Sequence, residues 1–184
     1  MSPLPVPPRF ECLEAIARRY PVIDPTALAT CIQLLQTCAA VSEAFDAQYA
    51  RHGIARGRFQ VLVLLYRAEA GGLAPAELAE QSGVTRAAMT GLVDALVEGG
   101  LVVREDDPSD RRTYHVRLTD RGHEFLHEMF PDHFQRLAAF MGSLTASEQR
   151  TLRRLLDKVV QRLPAVAEAH PRSHERRTLA ASDR

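Results

Sequence analysis

The stretch at residues 76–122, AELAEQSGVTRAAMTGLVDALVEGGLVVREDDPSDRRTYHVRLTDRG, decides how the chain is read. Just before and within it, Ala74 to Gln81 reads as a short helix with Pro75 in its first turn. Ser82-Gly83-Val84 follows as a tight turn, and Thr85 to Glu98 as a second helix that Gly99-Gly100 stops. Leu101 to Glu105 and Thr113 to Leu118 are rich in β-branched and apolar residues, and the seven residues between them, DDPSDRR, are turn formers, so a hairpin is predicted. Helix, glycine turn, helix and basic-tipped hairpin, in that order, make a winged helix-turn-helix, here Leu73 to Gly122. In the second helix Val84, Met89, Leu92, Val93 and Leu96 share the core side, which leaves Arg86, Ala87, Thr90, Gly91 and Asp94 opposite.

Working outward, the first nine residues are proline-rich and read as disordered, and Phe10 to Tyr20 carries Leu13, Ile16, Ala17 and Tyr20 at helical spacing. Pro21 breaks that helix. Asp24-Pro25 supplies an N-cap and a first-turn proline for a long helix. Its stripe of Leu28, Ile32, Leu35, Cys38, Ala39, Ser42, Phe45 and Tyr49, with Leu34 and Val41 off the stripe, predicts burial on two sides and therefore an interface. Gly53 closes it. Arg58 to Arg67 fits a buried helix or a strand by pattern, and its neighbours favour helix. Thr119 caps a helix to about Met141, and Thr145-Ala146-Ser147-Glu148 is a capping box for a last helix to about Leu163. The polar tail beyond Pro164 reads as frayed. The predicted division is a 1–23 arm with a short helix, a 24–56 interface helix, a 57–122 winged helix-turn-helix DNA-binding domain, 123–163 C-terminal helices and a 164–184 tail.

The 184 residues suffice for one domain with appended helices, and 46% hydrophobic content excludes a disordered chain. No apolar run approaching about 18–20 residues is evident, nor a signal peptide, so a cytoplasmic protein without membrane contact is expected. Three cysteines, Cys12, Cys31 and Cys38, without CxxC spacing suggest neither a disulfide framework nor a zinc ribbon. Cys31 and Cys38 lie about 10 Å apart along a helix, too far for a mutual disulfide. Twenty-three basic residues balance 23 acidic ones, so contact with nucleic acid must come from a local basic surface. Thr85 and Arg86 open the second helix, where free N–H groups favour phosphate and where Arg86 can offer a bidentate fork to guanine. Arg111 and Arg112 at the hairpin tip suit the minor groove, with Asp110 near enough to orient one of them, and Arg117 and Arg121 suit phosphates.

The quoted stretch resembles the helix-turn-helix and wing of the MarR (multiple antibiotic resistance regulator) family, notably in DPSDRR followed by LTDRG. The resemblance implies a mainly α, dimeric winged helix-turn-helix protein with N- and C-terminal dimerisation helices. It implies a ligand-responsive repressor on a pseudo-palindromic double-stranded DNA operator. It assigns major-groove contact to Thr85, Arg86, Ala87 and Thr90, and minor-groove contact to Arg112 braced by Asp110. The extra N-terminal helix resembles the urate-responsive branch, with Tyr20 in place of a pocket tryptophan. Gln60 stands in place of an acid and Gly91 in place of an arginine, which argues against urate itself. A small aromatic or phenolic effector near Tyr20, Phe59, Gln60 and Tyr66 is expected, with no required cofactor; plain core packing is the alternative.

One motif points elsewhere. His123-Glu124-Phe125-Leu126-His127 is a literal HExxH, with His133 at the spacing of a third zinc ligand. Histidines at i and i+4 share a helix face and Glu124 suits a general base, the outline of a zinc hydrolase. Phe130-Pro131 occupies the place of the glycine that turns the chain toward a third ligand, so no catalysis is expected. His123, His127 and His133 are kept as metal candidates for a metal-sensing regulator, and the cysteines for a redox-sensing one.

Overall fold

The computed structural model describes residues 10–20, 24–68, 71–106 and 114–163. The proline-rich start, the Pro21 break, the hairpin tip with Asp110, Arg111 and Arg112, and the tail beyond residue 163 lie outside the described residues. The elements are α1 (Phe10–Arg19), α2 (Pro25–Arg51), α3 (Arg56–Arg67), α4 (Pro75–Ser82), α5 (Arg86–Glu98), β1 (Val102–Asp106), β2 (Tyr114–Leu118), α6 (Asp120–Met141) and α7 (Ala146–Val160).

Capping chemistry sets the helix starts. Asp24 accepts from the backbone N–H groups of Thr26 and Ala27 at 3.0 and 3.3 Å, satisfying donors that α2 would otherwise leave open. The Glu77 carboxylate accepts from Ala74 N at 2.8 Å at the head of α4. Between α4 and α5, Gly83 takes φ +66°, the left-handed conformation that a helix-ending glycine permits. Thr85 Oγ1 then accepts from Ala88 N at 3.2 Å and starts α5. The apolar run at residues 58–67 is a helix, not a strand. Phe59, Val61, Leu62 and Leu65 are all buried, so more than one side of α3 faces the core.

The hairpin pairs β1 and β2 antiparallel from Val102–Leu118 to Asp106–Tyr114. Leu73 adds a third short rung, donating to Val116 O at 3.1 Å and accepting from Val116 N at 2.9 Å. Leu62, Leu78, Met89, Leu96, Val116, Leu126 and Met129 are completely buried, and their burial fixes α3, α4, α5, the hairpin base and the start of α6 together.

The chain divides into two compact units, Met1–His133 and Phe134–Arg184. In the second, Glu148 accepts from Thr145 N at 2.8 Å while Thr145 Oγ1 accepts from Glu148 N at 3.3 Å, the expected capping box. These hydrogen bonds hold the Glu148 carboxyl below its usual range. Gln149 Nε2 donates to the carbonyls of Met141 and Leu144 and ties the turn to α7. No residue of α7 is buried, and Leu152, Leu155, Leu156, Val159 and Leu163 recur as an exposed apolar stripe. In α2 only Gln48 and Tyr49 are buried, and Leu35 is 65% exposed. By length and composition α2 is apolar enough to cross a bilayer, which corrects the sequence estimate. Polar residues such as Gln33, Gln36 and Glu43 interrupt its apolar letters and hid this from a search for an unbroken run.

Gly122, buried in the first turn of α6, sits against the wing: a β-carbon there would run into the Leu101 carbonyl oxygen and press on the Leu118 side chain. Gly122→Ala is expected to destabilise the fold by about 1–3 kcal/mol, read as a lower urea midpoint with unchanged m-value. A midpoint equal to that of the parent protein would contradict this close approach.

Candidate nucleic-acid interface

The outer face of α5 is built from small and polar residues. Arg86, Ala87, Thr90, Gly91 and Asp94 are all exposed, while Met89, Val93 and Leu96 are buried beneath them. Val84, grouped with the core side by periodicity, is 37% exposed because it stands in the turn ahead of the helix. Thr85 and Thr90 use their hydroxyls locally, the first as the cap and the second donating to Arg86 O at 3.0 Å. Arg86, at the first helical position, forms no ion pair with a described residue. Its guanidinium is free for an anion beside the positive end of the helix. Ala87 and Gly91 keep the face shallow enough for close approach.

Asp94 does not belong to this open face. Its carboxylate pairs with Arg104 on β1, whose guanidinium lies 5.3 Å from the centre of the Tyr114 ring on β2. The recognition-type helix is thereby braced to both strands of the wing. Arg117 Nη1 donates to Glu105 at 2.7 Å across the hairpin, so its charge is shared before any phosphate arrives. Sequence periodicity could not find either pair, since ten and twelve residues of separation across a turn leave no helical or strand repeat.

Two aromatic clusters join α3 to α6. Phe59 lies 4.9 Å from Tyr49 and 5.0 Å from His133 between ring centroids, and Tyr66 lies 5.2 Å from Phe130 and about 6 Å from His123 and His127. Around the first cluster is a cavity of about 410 Å³, lined by Phe59, Gln60, Tyr49, Arg67 and His133 among others. Tyr66, His123 and His127 line a different cavity of about 700 Å³. Tyr20, 53% exposed beyond the end of α1, lines neither. The four expected pocket residues are therefore not brought together. Phe59 and Tyr66 lie seven residues apart, about 10 Å along α3, and meet different α6 residues, His133 for the first and His123, His127 and Phe130 for the second. Burial holds the His133 imidazole below its usual range.

The HExxH is likewise divided. Glu124 lines a third cavity, away from the one that His123 and His127 share, and His133 lies in the first. Among the described residues no three His, Cys, Asp or Glu side chains are placed to hold a metal ion. A buried tie that sequence reading missed joins α2 to α6: Gln48, fully buried, donates to Asp132 Oδ2 at 3.2 Å, and His52 Nε2 lies 3.4 Å from the same oxygen. Cys12, Cys31 and Cys38 are free thiols, each exposed in the single chain.

Comparison with known proteins fits this geometry. The family model described as "MarR family" matches residues 52–113. The HTH-type transcriptional repressor YetL of Bacillus subtilis (strain 168) is 30% identical over 156 residues, covering 85% of this chain and 93% of the relative. A MarR family transcriptional regulator of Streptomyces coelicolor, crystallised in complex with DNA, superposes with a TM-score of 0.71 at 27% identity, covering 76% of this chain and 88% of that one. CouR of Rhodococcus jostii, crystallised with p-coumaroyl-CoA, superposes with a TM-score of 0.61 at 26% identity, covering 69% and 88%.

Replacing Asp94 with Asn removes the brace between α5 and the wing without touching the core. D94N is expected to lower DNA affinity several-fold, measured by fluorescence anisotropy, with stability changed by less than about 1 kcal/mol, as for an exposed ion pair. Unchanged DNA affinity would show that the brace is dispensable.

Proposed function

The chain belongs to the MarR family of winged helix-turn-helix transcriptional regulators, and on that premise we propose that it acts as a homodimeric, ligand-responsive repressor on a pseudo-palindromic operator. The observation that carries the reading is the exposed α5 face led by the free Arg86, braced by Asp94 and Arg104 against the hairpin whose tip carries Arg111 and Arg112. Thr85, Arg86, Ala87 and Thr90 face the major groove, with Thr85 contributing through its position at the helix start because its hydroxyl is the cap. Arg112, oriented by Asp110, enters the minor groove, and Arg111 and Arg117 contact phosphate.

A second copy of the chain covers the apolar surface of α2 and the α7 stripe, which gives residues 24–56 and 123–163 the role of dimerisation helices and 57–122 that of the DNA-binding domain. Two-fold symmetry then sets half-sites about 10 base pairs apart. Membership in a family of transcriptional regulators supports a non-enzymatic role at chromosomal DNA in the cytoplasm.

The cavity at Phe59 and Gln60 takes the effector, an aromatic or phenolic acid: Tyr49 and Phe59 supply the ring surface, and Arg67, without an ion pair to a described residue, meets the carboxylate. CouR, crystallised with p-coumaroyl-CoA, supports the phenolic part of that assignment. Occupancy acts by changing the separation of the two α5 helices, a coupling of about 1–3 kcal/mol.

Arg112→Ala is expected to cost about 1–3 kcal/mol of binding to the operator upstream of the chain's own gene in a gel-shift assay, with the dimer unchanged on size exclusion. Unaltered binding would remove the tip from the interface, and a monomer would refute the dimeric reading. Titration calorimetry with 4-hydroxybenzoate and p-coumarate should give saturable heat that F59A abolishes and should weaken DNA binding about 5–150-fold. No heat and no change in DNA affinity would refute the effector assignment.

A further inference from the structure

We propose that the cavity behind the C-terminal end of α5 binds a small zwitterion with an apolar body, of the chemical class of α-amino acids and short peptides. This cavity, about 480 Å³, is separate from the aromatic one at Phe59 and falls within the roughly 300–1,000 Å³ of small-molecule sites. Its apolar surface comes from Ile54 in the turn before α3, Leu96 near the end of α5 and Phe125 on α6. Around that surface stand two cations, Arg58 and Arg121, and two carboxylates, Glu124 and Glu128.

Three arginines elsewhere close on a carboxylate, Arg56 on Asp46 at 2.7 Å, Arg117 on Glu105 at 2.7 Å and Arg104 on Asp94. None of the four charged groups at this cavity forms an ion pair, either with one another or with another described residue. Arg121 is directed toward the glycine turn that closes α5, its Nη1 being 3.4 Å from where a β-carbon on Gly100 would stand. Glu124 and Glu128, four residues apart on α6, form a like-charged pair on one helix face, which each destabilises slightly. Unpaired charges of both signs, Arg58 on α3 and Arg121, Glu124 and Glu128 on α6, around an apolar floor match a ligand that carries both charges on an apolar frame. A carboxylate meets the guanidinium groups, an ammonium meets the glutamates, and the side chain covers Leu96 and Phe125.

The site borders Ala95, Leu96 and Gly99, the last turn of α5. A bound molecule therefore bears directly on the helix that the preceding reading places in the major groove, although binding itself does not depend on that reading.

The test is titration calorimetry of the full chain with L-phenylalanine, L-leucine and L-leucyl-L-leucine. At least one is expected to bind saturably at one site per chain. Its N-acetylated form, lacking the ammonium, and its C-terminal amide, lacking the carboxylate, should each bind at least tenfold more weakly. Arg121→Gln and Glu124→Gln, both at exposed positions, should each weaken binding at least tenfold with an unchanged melting temperature. The proposal is overturned if none of the three probes binds, if blocking either charge leaves affinity unchanged, or if both variants bind as the parent does. Loss of DNA binding in a variant that still binds the probe would bear on the regulator reading alone.

Discussion

A single hydroxyl, that of Thr119, holds α5, the hairpin and α6 in register. It donates to Gly100 O at 2.7 Å and accepts from Gly122 N at 3.0 Å, while the Thr119 backbone N–H donates to Leu101 O at 3.1 Å. The end of α5, the start of β1, the end of β2 and the start of α6 thus meet within four hydrogen-bonding residues. A partly buried hydroxyl with both roles satisfied is costly to displace, because each orphaned backbone group would lose about 1–3 kcal/mol of solvation. The absence of a side chain at Gly122 is what lets the first turn of α6 come close enough to Leu101 for that arrangement.

On this frame, charge and aromaticity divide the labour. Ion pairs at Asp94–Arg104 and Glu105–Arg117 tie the wing to itself and to α5 on the outside. Inside, rings from α2, α3 and α6 meet around Tyr49, Phe59 and His133: Phe59 and His133 stand edge to face, which sets a positive ring edge against a π-face, while Tyr49 is tilted by about 30° to each of them. The first set can be rearranged at little cost in water, whereas the second cannot. A regulator needs both, a rigid body and a surface whose electrostatic contacts can be exchanged for those of a duplex.

The sequence disclosed the winged helix in detail, because its signals are local: Pro75, Gly83, the Thr85 cap, Gly99-Gly100 and the Thr119 and Thr145 caps each fall where the structure starts or stops an element. The helical state of residues 58–67 needed neighbouring context, since an apolar run buried on more than one side has no period to read. What was illegible was pairing at a distance. Asp94 reads as one more polar residue on a solvent face, and no local pattern marks Gln48, whose partner Asp132 lies 84 residues away on α6. The expected pocket residues are dispersed for a related reason, since Phe59 and Tyr66 stand about two turns apart on α3 and line different cavities. The HExxH likewise met its spacing rule without bringing its three functional groups to one cavity.

The balance of 23 cations and 23 anions, together with the commitment of Arg104 and Arg117 to carboxylates, also bears on how such a chain finds a site on a genome. Affinity for arbitrary duplex grows with the number of phosphates neutralised, each releasing about 0.9 of a condensed counterion. A chain without net charge draws on a local cationic surface alone and so liberates few such ions on arbitrary duplex. Its hold on unrelated sequence, and the salt dependence of that hold, are expected to be smaller than those of a strongly basic regulator.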